Sequence, residues 1–167
     1  MLRFALLLIL CGLEVSAQTV LLPQNTTWKY KADGTDQGTA WRSPSFNDNS
    51  WNSGTTEMGF GDSDENTVIG SASNGYITFY FRKKIAINNP AQFCTIDLRL
   101  WRDDGAVVYI NNTEVWRSNM PSGTINYLTT AAGTASDDGN TMQTLALPTS
   151  YFVNDTNTIA VEIHQAA

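Results

Sequence analysis

Apolar and polar residues alternate with a period of two over short segments, and this alternation constrains the fold more than any other feature. The run Thr95–Trp101 places three aliphatic side chains on one face and polar ones on the other. Tyr76–Ile87 alternates in the same way. Four further strands are predicted, namely Val107–Ile110, Glu114–Arg117, Thr141–Leu147 and Thr158–Ile163. Because strands with one buried face show this period and no segment shows a clear helical one, the sequence predicts an all-β chain.

Turns and long loops separate the predicted strands. Asn111-Asn112-Thr113 lies between two of them, and because Asn tolerates positive φ it predicts a tight hairpin. Three longer segments are irregular, namely Lys31–Ser53, Glu57–Gly75 and Asn119–Asn140. Loops of this length in a compact domain usually carry binding or metal sites. Short strands joined in this way predict a β-sandwich, in which the inward faces of two sheets form the core.

The first 17 residues have the pattern of a secretory signal. Arg3 precedes the apolar run Phe4–Cys11, and Val15-Ser16-Ala17 has the small residues of a cleavage site. The apolar run is far shorter than the ~20 residues that a spanning helix needs. We therefore predict that residues 1–17 are removed and that residues 18–167 form a single domain of a secreted, extracellular protein without a membrane span.

Charge and cysteine content exclude several classes of protein. The chain has 10 Lys and Arg against 16 Asp and Glu, a net charge of -6, which disfavours a nucleic-acid partner but allows Ca²⁺ or sugars. Cys94 is the single cysteine after the predicted signal, so an intrachain disulfide is excluded there. We expect Cys94 to be a small buried apolar residue; pairing with another chain is the alternative. Three N-x-[ST] sequons predict glycosylation at Asn25, Asn111 and Asn154.

Catalytic patterns are sparse. His164 is the only histidine, so a Ser-His-Asp site or a zinc centre would have to depend on it. We interpret His164 as a hydrogen-bonded structural residue that shares a strand face with Glu162 and Ala160. Neither a phosphate-binding G-x-x-x-x-G-K-[ST] loop nor a G-x-S-x-G elbow occurs in the sequence. The sequence therefore predicts a protein that is not an enzyme.

Clustered carboxylates are the main candidate metal ligands. Asp62, Asp64 and Glu65 lie in one glycine-rich segment, and oxygen ligands on flexible loops suit Ca²⁺. We therefore expect a structural Ca²⁺ at these three residues, with solvated turns as the alternative. Asp103 and Asp104 form a second acidic pair before Gly105, where they are candidates for ligand binding or for satisfying turn amides.

Two tryptophans are candidate sugar-binding residues. Trp101 lies on the polar side of its strand, and Trp116 follows the predicted hairpin, so we expect both indoles to be exposed and to contact carbohydrate. We assign Asp103 and Asp104 to the same candidate site. Trp41 and Trp51 are instead interpreted as side chains that hold loops against the sandwich.

Four phrases in order resemble galactose-binding-like jelly rolls: Trp28-Lys29-Tyr30 followed by Gly38–Trp51, then Gly59–Glu65, Leu100–Asn111 and Ile159–Gln165. The family is a secreted module that is often joined to calcineurin-like metallophosphoesterase or lamin-tail domains. The resemblance runs from Trp28 to the end of the chain, and it implies a jelly-roll sandwich with a structural Ca²⁺ near one edge. In the family another strand follows the one that ends near Gln165. We therefore expect that the last strand is missing and that the chain is truncated at its C-terminus.

These observations favour a secreted, non-catalytic binding or adhesion module for glycans or extracellular-matrix polymers. A variant of this hypothesis is an acidic structural component of an extracellular or mineralised matrix. The alternative is the N-terminal accessory domain of a secreted calcineurin-like metallophosphoesterase whose catalytic part is absent. A third hypothesis is a homophilic interaction domain that uses an open sheet edge.

Overall fold

The computed structural model describes residues 18–61 and 63–167, so the predicted signal segment and Asp62 lie outside the described residues. Strands and short 3₁₀ turns make up the regular structure. The strands are β1 (Thr27–Lys31), β2 (Asn52–Thr55), β3 (Met58–Gly59), β4 (Thr67–Val68), β5 (Thr78–Ile87), β6 (Ile96–Leu100), β7 (Gly105–Ile110), β8 (Thr113–Ser118), β9 (Gln143–Leu147) and β10 (Asp155–His164). The 3₁₀ turns are Ala40–Arg42, Ala72–Asn74, Pro90–Gln92 and Thr149–Tyr151.

Six strands form one antiparallel sheet in the order β2-β1-β5-β10-β7-β8. β10 pairs with β5 along its whole length, from Asp155 opposite Ile87 to His164 opposite Thr78, and it also pairs with β7. β10, which carries most of the Ile159–Gln165 phrase, is therefore a central strand. The edges of this sheet lie at β2 and β8 instead.

The second layer consists of two strand pairs, antiparallel β6–β9 and parallel β3–β4. The main core lies between this layer and the inner face of the six-stranded sheet. Its buried members are Ile69, Phe79, Phe81, Ile87, Ile96, Val108, Ile110, Leu147, Phe152, Ile159 and Val161. Full burial of each such side chain contributes roughly 1.5–3 kcal/mol, so this layer stabilises the sandwich strongly. The all-β sandwich is confirmed.

The outer face of the six-stranded sheet is also covered, by loops. Trp41 and Trp51 pack on Tyr80 and Tyr109, with 4.9 Å between the ring centres of Trp41 and Tyr80. Trp41 is 1% exposed and Trp51 5% exposed. The prediction that these two tryptophans hold loops against the sheet is confirmed. The long segment before β2 therefore serves mainly as a cover.

The six predicted strands are present with small shifts at their ends. Asn111 and Asn112 have φ of 50° and 74°, which confirms the tight hairpin between β7 and β8. The sequence analysis missed β1 to β4, because β1 and β2 are short and rich in polar residues and β3 and β4 have two residues each. No helix among the described residues is long and apolar enough to cross a membrane.

Cys94 corrects one expectation. Its side chain is exposed and free, in the segment between the Pro90–Gln92 turn and β6. The prediction of a buried Cys94 is wrong because the apolar alternation of β6 begins only at Ile96, which is 8% exposed.

Candidate functional site

The outward side of the β6–β9 pair presents a surface of mixed polar and apolar residues. Leu98 pairs with Leu145 and Arg99 with Thr144, so alternate residues of both strands point away from the core. We call this surface the β6–β9 face and define it by its exposed residues Asp97, Arg99, Trp101, Met142, Thr144 and Ala146.

Trp101 dominates the β6–β9 face. It is 40% exposed, as the alternation predicts, while Leu98 and Leu100 of the same strand pack against the main core. Met142 is 38% exposed, and extending the register of the strand pair by one residue places it opposite Trp101. The indole is therefore held at the end of a strand whose other face is fixed by packing.

Trp116 does not belong to the β6–β9 face, and its side chain is less exposed than that of Trp101. It belongs to β8, where it pairs with Val108, and it is half-buried against the main core. The expectation of an exposed Trp116 is wrong because the bulge between Val108 and Tyr109 sets which β8 side chains point inward. Trp116 thus lies in the six-stranded sheet, whereas Trp101 lies just beyond the end of β6 in the other layer.

Asp103 and Asp104 follow Trp101 after one intervening residue, Arg102, and both make hydrogen bonds within the protein. The Asp104 carboxylate accepts 2.7 Å hydrogen bonds from the backbone amides of Ala135 and Ala166. Burial by itself raises the pKa of Asp104, but the hydrogen bonds from Ala166 and Ala135 outweigh it, so the pKa lies below its usual value. The carbonyl of Asp103 accepts from Gln165 Nε2 at 3.0 Å. A direct role of this pair in ligand binding stays a prediction.

The expected calcium ligands Asp64 and Glu65 lie between β3 and β4. Asp62 lies outside the described residues. Among residues 18–61 and 63–167, no three His, Cys, Asp or Glu side chains are grouped as metal ligands. Calcium binding stays a prediction.

The three sequons differ in what their side chains do. Asn111 uses its whole amide: Oδ1 accepts from Thr158 N at 2.9 Å, while Nδ2 donates to Asn157 Oδ1 and Tyr151 O. Asn25 and Asn154 are exposed, and both use Oδ1 as an acceptor. Since Nδ2 is the atom that a glycan modifies, the structure favours Asn25 and Asn154 over Asn111 as acceptors.

His164 belongs to a buried polar cluster on the outer face of the six-stranded sheet. Nδ1 lies 2.6 Å from Thr129 O, and because a carbonyl only accepts, Nδ1 carries the proton. Nε2 lies 3.4 Å from Glu162 Oε2, and Glu162 Oε1 accepts from Tyr109 Oη at 2.6 Å. His164 is 0% exposed, which confirms its interpretation as a structural histidine.

The same cluster raises the pKa of two tyrosines. Burial is the larger cause for Tyr80 and Tyr109, and the nearby Glu162 carboxylate is the next. The sequence analysis missed the buried role of Glu162 and Tyr109. A signal for this role was present in the sequence. Charged residues alternate along one face of β5 and of β10, a pattern that a solvated edge strand would not require.

The surface of the described residues includes the following two depressions. One has a volume of about 560 Å³ between the turns Pro90–Gln92 and Thr149–Tyr151, and uncharged residues including Asn154 line it. The other has a volume of about 330 Å³ at the β1–β5 pair, and we call it the basic groove. It is lined by Thr27, Trp28, Lys29, Asp48, Ser53, Arg82, Lys83 and Lys84.

Comparison with known proteins establishes the fold. No protein-family model matches the sequence, and no curated protein matches it significantly. Solved structures do match: a β-glucuronidase 2 from Bacteroides uniformis has a TM-score of 0.54 and 20% identity, covering 86% of this chain and 14% of that chain. A β-glucuronidase from glycoside hydrolase family 2 has a TM-score of 0.54 and 15% identity, covering 87% and 15%.

A β-glycosidase from Bacteroides vulgatus is similar to the same extent, with a TM-score of 0.52, 17% identity and coverage of 84% of this chain and 17% of that chain. The likeness extends over nearly all of the described sandwich. This chain corresponds to only a small part of the length of these enzymes.

Proposed function

We propose that this protein is a secreted, non-catalytic carbohydrate-binding module and that its β6–β9 face holds the saccharide. The exposed indole of Trp101 carries the proposal. An indole offers a broad apolar surface with a polar N–H at its edge, which suits the mixed C–H and hydroxyl faces of a sugar ring.

The neighbours of Trp101 supply the polar groups that a sugar requires. Arg99 and Thr144 form a cross-strand pair on the same face, and Asp97 lies two residues before Arg99. A guanidinium donates, a carboxylate accepts and a hydroxyl does both, so these groups satisfy hydroxyls around a ring. Because they are carried by paired strands, the binding surface is formed in advance.

An accessory role is favoured over catalysis. Glycoside hydrolysis uses two carboxyl groups that flank the bond, whereas the β6–β9 face has a single carboxylate, Asp97. The solved neighbours are glycosidases, and this chain covers 14% to 17% of the three described above. Both observations support a binding module that serves a separate activity. No observation on the described residues favours the matrix or phosphoesterase alternatives.

Calorimetric titration with oligosaccharides chosen from a glycan array tests the proposal. We expect Trp101→Ala to weaken binding by about tenfold or more, because the stacking surface is lost. The control is Tyr151→Ala, since Tyr151 is 36% exposed and lies beyond the opposite end of β9. Equal affinity of wild type and Trp101→Ala would exclude the β6–β9 face as the site.

A further inference from the structure

We propose that the basic groove is a second binding site and that it holds a sugar unit carrying an anionic substituent, a carboxylate or a sulfate. The groove lies on the six-stranded sheet, not on the β6–β9 pair. The proposal shares the class of ligand with the proposed function, but it needs no residue of the β6–β9 face.

Strand pairing brings the cations of the groove together. Lys29 of β1 lies opposite Arg82 of β5 and also opposite Ser53 of β2. Lys84 follows Arg82 by two residues and therefore points to the same face, about 7 Å further along β5. Lys83 reaches the groove from the other side of β5, where its Nζ donates to Thr27 O at 2.7 Å.

The donors of the groove are only partly used within the protein. Lys29 Nζ donates to Trp51 O at 3.3 Å, and an ammonium group has three donors, so Lys29 and Lys83 retain capacity for a ligand. Lys84 is exposed. Arg82 is different, because it is 1% exposed and directed to Asp48 and the loop carbonyls. The binding cations are therefore the three lysines.

The charge of the groove is opposite to that of the protein. The whole chain carries a net charge of -6, yet four basic residues line the groove with one carboxylate, Asp48, which is already paired with Arg82. A concave surface lined by one sign of charge raises the local concentration of the opposite ion. The geometry thus favours an anion at this place on a protein whose net charge is negative.

The remaining lining residues favour a sugar over a bare ion. Thr27 and Ser53 line the groove and carry hydroxyls, and the volume of about 330 Å³ lies at the lower end of small-ligand sites. An inorganic anion would use the lysines alone. A charged sugar would also contact these hydroxyls, which makes it the better match for the lining.

The test is a titration of residues 18–167 with four probes at low salt. They are a sulfated heparin disaccharide, a carboxylated but unsulfated uronate disaccharide, neutral cellobiose and inorganic sulfate. We expect at least one acidic disaccharide to bind more tightly than cellobiose and inorganic sulfate. Its affinity should fall as salt rises, since salt screens exposed charges. The two acidic probes distinguish a sulfate ligand from a carboxylate ligand.

Lys84→Gln is the diagnostic variant, because Lys84 is exposed and its loss leaves the packing intact. We expect it to weaken binding of the acidic disaccharide by about tenfold. The matched control is Lys31→Gln, since Lys31 lies on β1 but outside the groove and pairs with Asp33. Trp101→Ala should leave this affinity unchanged.

Four results would overturn the proposal. Three of them are equal affinities of Lys84→Gln and Lys31→Gln, binding of cellobiose as tightly as the acidic probes, and binding of inorganic sulfate as tightly as the sulfated disaccharide. Loss of acidic-sugar binding in Trp101→Ala alone would assign that ligand to the β6–β9 face. That last result would reject the groove and support the proposed function, so the two failures are distinguishable.

Discussion

Arg82 on β5 donates a 2.8 Å hydrogen bond from Nε to Oδ2 of Asp48, a residue of the loop that covers the outer face of the six-stranded sheet. The same guanidinium donates to the carbonyl oxygens of Trp41 and Ser43. Arg82 is 1% exposed. One buried side chain therefore joins the cover loop to the centre of the sheet and balances its charge with a carboxylate from that loop.

Removal of the carboxylate should destabilise the protein strongly. Asp48→Ala leaves the Arg82 charge buried without its counter-ion, and breaking a buried pair typically costs about 3–5 kcal/mol. We expect the lower end of this range, because the Asp48 side chain is 16% exposed. The free energy of unfolding in urea measures the effect.

The control for this prediction is the pair of Lys31 and Asp33, which also has a separation of 2.8 Å but exposures of 32% and 42%. Asp33→Ala should cost less than about 1 kcal/mol, since water and salt screen an exposed pair. Equal losses in the two variants would show that burial does not set the strength of the Arg82 pair.

Asp104 should contribute a pH-dependent part of the stability. Its folded pKa is lowered, so its contribution is present above the unfolded value of about 3.9 and is lost as the pH falls through the folded value. The stability of wild type should fall more steeply below about pH 4 than that of Asp104→Asn. Urea unfolding at a series of pH values measures the difference, and parallel curves would contradict the prediction.

The tryptophans should separate into structural and surface classes. Trp41→Ala opens a cavity at a side chain that is 1% exposed, and such changes cost about 3–5 kcal/mol. Trp101→Ala should cost about 1 kcal/mol or less, because the residue projects from the end of β6. Thermal unfolding compares the two. A large loss in Trp101→Ala would mean that its indole is part of the core.

Glycosylation should be selective among the sequons. Expressed with the signal in secretory eukaryotic cells, the protein should carry glycans at Asn25 and Asn154 and little at Asn111. The Asn111 amide is held by Thr158, Asn157 and Tyr151. Mass spectrometry of the peptides measures occupancy, with Thr27→Ala and Thr156→Ala as controls that remove the two favoured sequons. High occupancy at Asn111 would show that the chain is modified before this hairpin closes.

Cys94 should react as a surface thiol. Residues 18–167 contain this one cysteine, and its side chain is exposed and free. A thiol reagent should therefore modify one thiol per chain without denaturant, and Cys94→Ser should abolish the reaction while changing stability by about 0.5 kcal/mol or less. Reaction only after unfolding would show that Cys94 is buried, as the sequence predicted.

The sequence predicted well which face of a strand each side chain lies on, because successive side chains of a strand point to opposite faces of the sheet. Leu98 and Leu100 point inward and Trp101 outward, as the pattern of β6 requires. The position of Trp116 after the hairpin gave a wrong prediction of its exposure, because a bulge changes the register of β8 at that point. The apolar character of cysteine gave a wrong prediction for Cys94, which lies just outside β6 and is not placed by the alternation of that strand.

What the sequence by itself determined is local: the all-β class, the hairpin at Asn111 and Asn112, and which side chains of each strand share a face. These follow from backbone geometry over a few residues. The tertiary structure alone decided what covers each face. Alternation marks the Arg82 face of β5 as polar, but it does not specify that a loop carrying Trp41 buries part of it. Alternation also does not specify that β1 brings Lys29 beside the part of this face that the loop leaves uncovered. Strand pairing decides this, because it joins residues that are far apart in the chain.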